Sequence, residues 1–175
     1  MSSLLRSVQL FAMDVDGVLT DGGLLYNGVG EETKRFHVAD GLGLQLVRLA
    51  GIEVAWISGR RSPAVERRAH DIKVPIVLQG VHDKAAALAG VAVQRGLPAE
   101  AIAFMGDDLN DLPAFAVAGV RLAPSNAVAL VKRAADYVTV AAGGAGAVRE
   151  ACDRILEAQG RLEGATAAYI AGLLA

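Results

Sequence analysis

The feature of this sequence that most limits its possible folds is a repeated pattern of short apolar runs that stop at glycine or polar residues. Such runs are typical of strands buried on both faces of a parallel sheet. They lie at 8–13, 52–57, 75–78 and 101–105. Helix-compatible segments alternate with them, at 42–50, 63–71, 83–95 and 109–117. This alternation predicts an α/β fold, a doubly wound parallel sheet with helices on both faces.

Residues 21–38 do not fit the alternation. Leu24-Leu25-Tyr26, then Asn27-Gly28, then a polar stretch up to Phe36 are typical of two extended arms around a turn. We therefore predict a projecting β-hairpin at about 21–38. Later in the chain we expect short strands at 120–122 and 137–139, helices near 126–135 and 145–158, and a C-terminal tail at about 160–175.

Composition excludes several classes of protein. The 175 residues are 53% apolar and contain no repeat or linker, which predicts one domain covering 1–175. The formal net charge of -2 offers no excess of positive charge for nucleic acid or an anionic membrane surface, so we expect neither partner. The single cysteine, Cys152, cannot form an intramolecular disulfide, and no segment predicts a signal peptide or a membrane span. We expect a cytoplasmic protein.

The first candidate functional residues, Asp14 and Asp16, follow directly on the first apolar run. Side chains two residues apart at a strand end project from the same face, so the two carboxylates would share one pocket. Like charges held close repel, and such a pair is useful where a cation or a proton transfer needs it. An ordinary exposed turn rich in aspartate and glycine is the alternative.

A second acidic cluster, Asp107, Asp108 and Asp111, follows the run at 101–105. In a parallel sheet both strand ends open on the same edge, where α/β sheets bind ligands. Hard oxygen ligands from the two clusters would suit Mg²⁺. Helix capping accounts for one of these aspartates but not for all three.

Ser58-Gly59-Arg60 and Lys84 lie between the acidic clusters, at a predicted strand end and a predicted helix start. A hydroxyl beside backbone N–H groups can bind phosphate oxygens, and a lysine can offset charge in a carboxylate-rich pocket. A capping serine and a surface lysine are the alternatives, so it is the order and the strand-end placement that make these residues candidates.

In order, these residues resemble the four motifs of the haloacid dehalogenase superfamily of phosphatases: Asp-x-Asp-Gly-x-x-Thr at 14–20, Ser-Gly-Arg at 58–60, Lys84, and Gly-Asp-Asp-x-x-Asp at 106–111. The resemblance implies a Rossmann-like fold and hydrolysis in two steps. Asp14 would attack phosphorus to form an aspartyl-phosphate, and Asp16 would act as general acid and then as general base.

The same resemblance implies how the other motif residues act. The side chains of Asp14 and Asp107 and the backbone carbonyl of Asp16 would hold Mg²⁺. Ser58 and Lys84 would hold the phosphoryl group, while Asp108 and Asp111 would support the site without binding the metal.

The layout is similar to the subgroup without a cap domain that contains the 3-deoxy-D-manno-octulosonate 8-phosphate phosphatase family. The similarity extends through Lys34-x-Phe36, Asp40-Gly41-x-Gly43, 135–139 and 143–150 up to Ala158-Gln159-Gly160, so it covers nearly the whole chain. It implies a small-molecule partner, a sugar acid phosphate, and a homotetramer in which hairpins and tails of neighbouring subunits help to close each active site.

The family resemblance also implies a set of substrate contacts, at His37, Val38, Ala39, Asp40, Gly41, Gln45, Gly59, Arg60 and Arg68, with Lys84. Ala39 and Gln45 depart from the basic residues of the family pattern. A phosphatase for a related nine-carbon ulosonic acid 9-phosphate is therefore an alternative to the eight-carbon substrate. Alternatives of another class are a phosphoacceptor signalling domain, which the general acid/base at Asp16 disfavours, and a non-catalytic assembly domain.

Overall fold

The strands form one central parallel sheet and one small hairpin in the computed structural model, which describes residues 2–174; Met1 and Ala175, the ends of the predicted domain, lie outside the described residues. In chain order the strands are β1 (Leu10–Met13), β2 (Leu25–Tyr26), β3 (Glu32–Thr33), β4 (Glu53–Ser58), β5 (Ile76–Gln79), β6 (Ile102–Met105), β7 (Val120–Ala123) and β8 (Tyr137–Val138). The sheet order is β5-β4-β1-β6-β7-β8 with every pair parallel, and β2 pairs antiparallel with β3.

Helices cover both faces of the sheet, as the alternation predicts. They are α1 (Ser2–Leu5), α2 (Val38–Leu49), α3 (Pro63–Asp71), α4 (Lys84–Arg95), α5 (Leu112–Phe115), α6 (Ala129–Ala134), α7 (Ala147–Ala158) and α8 (Leu162–Leu173), with short 3₁₀ turns at Ala99–Ala101 and Leu109–Asp111. Side chains from α2, α3 and α7 belong to a first hydrophobic core, and side chains from α4, α5 and α6 belong to a second.

Strand β1 shows why its sequence is apolar throughout. Phe11 and Met13 point into the first core, whereas Leu10 and Ala12 point into the second, and all four are 0% exposed. Successive strand residues face opposite sides of a sheet, so a strand covered by helices on both faces needs an apolar residue at every position. The prediction of a doubly wound α/β fold is confirmed.

The strand order determines which edge of the sheet holds the functional residues. The chain runs outward from β1 to β5 on one side of the sheet and continues from β6 to β8 on the other. Ligands bind such folds beyond the carboxyl ends of the strands where the order reverses, which here is beside β1 and β6. Asp14 and Asp107 therefore come together although 93 positions separate them in the sequence.

Helix α2 begins at Val38, earlier than the predicted 42, and so contains Gly41 and Gly43. Both glycines are close-packing positions: a Cβ on Gly43 would lie 3.0 Å from the Arg149 side chain, and one on Gly41 would lie 2.3 Å from the Arg68 guanidinium. Tertiary packing thus explains why the helix continues through residues that weaken helices in isolation.

The hairpin is present but shorter than predicted, with β2 and β3 joined through the turn at 27–30, and it is the insertion between β1 and α2 in the described chain. The C-terminal tail forms helix α8, which the sequence did not predict; Ala165 and Tyr169 pack against the first core. No helix within 2–174 is both long and apolar enough to cross a membrane.

Two loops near the end of β1 are fastened together through Asn126. Its amide nitrogen donates to the Gly17 carbonyl at 3.0 Å, and its amide oxygen accepts from the Gly143 N–H at 2.6 Å. A Cβ on Gly143 would lie only 1.9 Å from the Gly17 carbonyl oxygen. The loop that carries Asp14 and Asp16 therefore needs glycine at position 143.

We expect Gly143→Ala to lower the free energy of unfolding by roughly 1–3 kcal/mol, because the added methyl group overpacks backbone against backbone. Urea denaturation measures the change. A matched control is Gly90→Ala within α4, where a Cβ meets open space, and which should gain about 0.5–1 kcal/mol from helix propensity. Equal stability of the two variants would contradict this account of the loop.

Candidate active site

Asp14 lies at the carboxyl end of β1, fixed by backbone and by charge. Its N–H donates to the Met105 carbonyl at 2.9 Å, which continues the pairing of β1 with β6. One carboxylate oxygen, Oδ1, accepts from the Val15 N–H at 2.6 Å. The other, Oδ2, lies 2.7 Å from Lys84 Nζ. Asp14 is only 5% exposed. Contacts to both of its carboxylate oxygens set the orientation of the side chain.

Lys84 is the first residue of α4 and lies almost wholly buried between two carboxylates. Its Nζ is 2.7 Å from Asp14 Oδ2 and 2.6 Å from Asp111 Oδ1. Asp83 caps this helix by accepting from the Ala86 N–H at 2.9 Å, and this fixes the helix start that carries Lys84. An ammonium in this position neutralises charge that burial would otherwise make costly.

Asp111 ties the second acidic cluster together. Its Oδ2 accepts from the Asp107 N–H at 2.8 Å and from the Asp108 N–H at 3.3 Å, while Oδ1 accepts from Lys84. Asp108 in turn caps the following 3₁₀ turn through its contact with the Leu109 N–H at 2.7 Å. Both Asp111 oxygens are engaged, so this residue is suited to hold the loop and Lys84 rather than a ligand.

Asp107 extends from the loop after β6 toward the β1 loop. A Cβ on Gly17 would lie 2.0 Å from Asp107 Oδ2, so this close approach depends on a glycine, whose φ of 86° also favours glycine. Burial, followed by the charges of Asp111 and Asp14, raises the pKa of Asp107 to about 7. Burial and then the charge of Asp111 raise the pKa of Asp14 to about 6, against the opposing effect of Lys84.

The acidic residues fit a divalent metal. One oxygen from each of Asp14, Asp107 and Asp111 lies within 4.8 Å of the others. Asp107 Oδ1 is buried and has no hydrogen-bond partner among the described residues. Because the Asp111 oxygens are engaged with Lys84 and the backbone, Asp14 and Asp107 are the better metal ligands. Mg²⁺ suits such a site, since it needs few protein carboxylates and keeps water or phosphate oxygens for the rest.

Asp14 and Asp107 border a cleft of about 220 Å³ at the carboxyl edge of the sheet. The lining residues are Asp14, Asp16, Gly22, Ser58, Gly59, Arg60, Asp107, Asp108 and Asn110. Ser58 ends β4 and is 2% exposed; its Oγ accepts from the Arg60 N–H at 3.2 Å. Asp14, Asp16 and Ser58 line the cleft and Lys84 contacts Asp14, so the structure brings together all four predicted catalytic residues, although their chemical roles stay predictions.

Asp16 is held by the hairpin, a contact that the sequence did not reveal. Asp16 Oδ1 accepts a hydrogen bond from Lys34, and Lys34 Nζ also lies 2.9 Å from Glu32 Oε1. The Lys34 ammonium, together with the Arg60 guanidinium, lowers the pKa of Glu32 to about 2 against the effect of burial. The sequence feature that indicates this contact is the pair of charged residues, Glu32 and Lys34, at alternate positions of the predicted hairpin.

Most predicted substrate contacts lie outside the cleft of this one chain. Gly59 and Arg60 line it, whereas the remaining predicted contacts do not, namely His37, Val38, Ala39, Asp40, Gly41, Gln45 and Arg68. Asp40 is 1% exposed, and its Oδ1 accepts from the Arg149 N–H at 2.8 Å, which joins α2 to α7. Gln45 lines a separate cleft with Arg48 and Tyr169. Contact of these residues with a substrate stays a prediction.

Comparison with known proteins agrees with the fold. Residues 68–150 match the family model described as haloacid dehalogenase-like hydrolase. A Haemophilus influenzae protein named 3-deoxy-D-manno-octulosonate 8-phosphate phosphatase is 45% identical over 161 residues, which cover 92% of this chain and 89% of the relative. The phosphatase of that name from Yersinia pestis is 42% identical over 91% of this chain and 86% of its own.

Solved structures give the same result. The Moraxella catarrhalis 3-deoxy-D-manno-octulosonate 8-phosphate phosphatase, in complex with magnesium, phosphate and KDO, superposes with a TM-score of 0.92 at 42% identity and covers 96% of this chain and 97% of its own. The cobalt-bound Haemophilus influenzae phosphatase has a TM-score of 0.88 at 45% identity, covering 91% of this chain and 93% of its own.

Fold and site together define a haloacid dehalogenase-like hydrolase whose chemistry is the hydrolysis of phosphoric monoesters. At this degree of identity over most of both chains, the protein belongs to the 3-deoxy-D-manno-octulosonate 8-phosphate phosphatase family. The family predicted from the four motifs is confirmed, as is the enzyme class.

We expect Asp111→Asn to lower kcat by roughly 10- to 100-fold, the usual cost of removing a residue that orients a metal ligand and its neighbours. The variant keeps an acceptor for the backbone but leaves Lys84 with only one anionic partner. Steady-state phosphate release measures the effect. Asp108→Asn is the matched control, because asparagine still caps the 3₁₀ turn. If both variants lose activity equally, Asp111 does not act through Lys84 and Asp107.

Proposed function

We propose that this protein hydrolyses 3-deoxy-D-manno-octulosonate 8-phosphate to the free sugar acid and phosphate, with Mg²⁺ as its cofactor. The observation that carries the proposal is the placement of Asp14 and Asp16 in one cleft with Ser58, Arg60 and Asp107. The named activity of relatives at 41–45% identity supports the substrate. The reaction would then be a step toward the inner sugar of lipopolysaccharide.

Asp14 is the nucleophile in this proposal. One of its carboxylate oxygens attacks phosphorus, the bond to the sugar oxygen breaks, and an aspartyl-phosphate forms. The Val15 N–H and Lys84 fix the carboxylate, so little reorientation precedes attack. Water then attacks phosphorus in turn, which releases phosphate and regenerates the Asp14 carboxylate.

Asp16 transfers the proton that both steps need. In the first step its protonated carboxyl group gives a proton to the departing sugar alkoxide, and in the second its carboxylate takes a proton from the attacking water. Asp16 Oδ2 is buried and has no hydrogen-bond partner among the described residues, and it lies 3.9 Å from Arg60 Nε at the cleft. A free oxygen in this position supports the acid/base role.

Lys84 and Ser58 bind the transferring phosphoryl group. Lys84 contributes a fixed positive charge, and the Ser58 hydroxyl with neighbouring backbone N–H groups offers hydrogen bonds to phosphate oxygens. Mg²⁺, held by the side chains of Asp14 and Asp107 and by the Asp16 carbonyl, would supply further charge neutralisation for the phosphoryl oxygens. The magnesium and phosphate of the Moraxella catarrhalis structure support this assignment.

Two residues of the sequence support a second candidate substrate. The sequence resemblance leads us to expect basic residues at positions 39 and 45, where this chain has Ala39 and Gln45, and this difference favours testing the nine-carbon ulosonic acid 9-phosphate as an alternative. Gln45, however, lines a cleft formed with Lys73 and Tyr169, away from Asp14. A change at position 45 therefore bears less directly on the reacting phosphate than a change at Arg60 would.

We also propose that the chain acts as a single cytoplasmic domain that assembles into a homotetramer. Both hydrophobic cores share one sheet, which supports a single domain. Leu24, Leu25 and Tyr26 of the hairpin are 47%, 58% and 59% exposed, and an apolar projection of this kind supports burial against neighbouring subunits.

The test is phosphate release from a panel of sugar phosphates that includes the eight-carbon and nine-carbon acids, with Mg²⁺ and with a chelator. We expect strong preference for the eight-carbon acid and loss of activity with the chelator. Asp14→Asn should abolish turnover while the chain still folds, since the substitution is nearly isosteric and Asp111 remains as an anionic partner of Lys84. A preference for the nine-carbon acid would show that the eight-carbon acid is not the main substrate. An active Asp14→Asn variant would show that Asp14 is not the nucleophile.

A further inference from the structure

The returning arm of the hairpin turns charged side chains toward the active site. Along residues 31–37 the side chains alternate: Glu32, Lys34 and Phe36 are partly buried, whereas the residues between them are exposed. Phe36 stacks on Trp56 of β4, with ring centroids 6.3 Å apart and planes 11° apart. This aromatic contact fixes the register of the arm, because side chains two apart in an extended segment share a face.

Lys34, two residues before this anchor, is the most enclosed charged group of the hairpin. Its side chain is 1% exposed and contacts the carboxylates of Asp16 and Glu32. A buried ammonium is costly unless it is paired, and here two anionic partners pair it. Only Asp16 Oδ1 is bound to Lys34, so Oδ2 stays without a hydrogen bond in the described structure.

Glu32 continues the chain of charges to the cleft. It contacts the Arg60 guanidinium, which also donates to the Tyr26 hydroxyl at 3.3 Å. Two carboxylates, Asp16 and Glu32, therefore alternate with two cations, Lys34 and Arg60. The four charges cancel, and each residue holds its neighbour in one orientation. The cluster joins the hairpin to both Asp16 and Arg60, two residues that line the cleft.

We propose that Lys34 is a positioning residue for the acid/base step: by holding Asp16 Oδ1 it directs Oδ2 toward the leaving-group oxygen. Glu32 supports it by fixing Lys34 and Arg60 together. This inference rests on the proposed function, in which Asp16 protonates the leaving group. It assigns the hairpin a part in the chemistry of its own subunit, separate from any part in assembly.

A purely structural ion pair makes a different prediction. Replacing only one partner of a buried ion pair by an apolar side chain usually destabilises the fold, because the carboxylates of Asp16 and Glu32 lose their compensating charge. If Lys34 only docked the hairpin, Lys34→Met would loosen the hairpin and change the rates on all substrates by the same factor. If Lys34 positions Asp16, protonation of the leaving group slows in addition, and the loss of rate depends on how much that group needs a proton.

The experiment measures the rate of the first turnover on two esters, for the wild type and for Lys34→Met. In the first turnover the measured rate does not depend on hydrolysis of the aspartyl-phosphate intermediate. The sugar acid phosphate has a poor leaving group that requires protonation, whereas p-nitrophenyl phosphate has a good one that does not. General acid catalysis contributes about 10²–10⁴-fold, so we expect a loss of at least about tenfold for the sugar ester and less than about threefold for the nitrophenyl ester.

Control variants isolate the effect. Arg35→Met removes a positive charge one residue away on the exposed face, where Arg35 pairs with Asp21, and should leave both rates unchanged. Lys34→Arg restores a cation and should recover part of the sugar-ester rate. Lys34→Gln, which keeps a donor but not the charge, provides the same ratio if the methionine variant does not fold.

Equal losses on the two esters, or no loss on either, would overturn the positioning role. Wild-type phosphate release with Asp14→Asn as the blank reports on the proposed function separately. If the proposed function is wrong, the wild type does not release phosphate from the sugar acid phosphate. If only this inference is wrong, the wild type is active and Lys34→Met changes the rates on the two esters by the same factor.

Discussion

The active site depends on one buried cation. Lys84 lies between Asp14 and Asp111, and through Asp111 it is coupled to the backbone that carries Asp107. Removing one partner of such a buried pair typically costs about 3–5 kcal/mol, because the remaining charge is left without compensation. One lysine cannot neutralise three carboxylates, and burial, followed by the charge of Asp111, raises the pKa of both Asp14 and Asp107. The remaining negative charge is what makes the site suitable for Mg²⁺.

The sheet and the hairpin supply opposite sides of this site. The carboxyl ends of β1, β4 and β6 present the groups that would bind metal and phosphate, whereas Glu32 and Lys34 reach the leaving-group side from the hairpin. Enzymes with a cap domain can use it to cover the reacting groups. In this chain the described insertion after β1 is only a hairpin, and its inward face is charged where it meets Asp16.

Much of this arrangement follows from local sequence. The strands at 10–13 and 102–105 are apolar at every position because helices cover both faces, and parallel pairing then brings Asp14 and Asp107 to one edge. Contacts that depend on tertiary packing were not predictable. The pairing of Lys34 with Asp16 requires the docking of Phe36 on Trp56, and helix α8 is composed largely of small residues whose helical state depends on packing against the first core. The earlier start of α2 has a similar cause, since Gly41 and Gly43 weaken a helix until neighbouring side chains pack on them.

The central claim is that Asp14 carries the phosphoryl group between substrate and water. Acid quenching during a single turnover with Mg²⁺, followed by borohydride reduction and peptide mass spectrometry, tests it most directly. The account predicts that Asp14 is phosphorylated in the quenched enzyme and is reduced to homoserine, while unreacted enzyme is unchanged. Modification of another residue, or product formation with no acyl-phosphate at any time point, would contradict it.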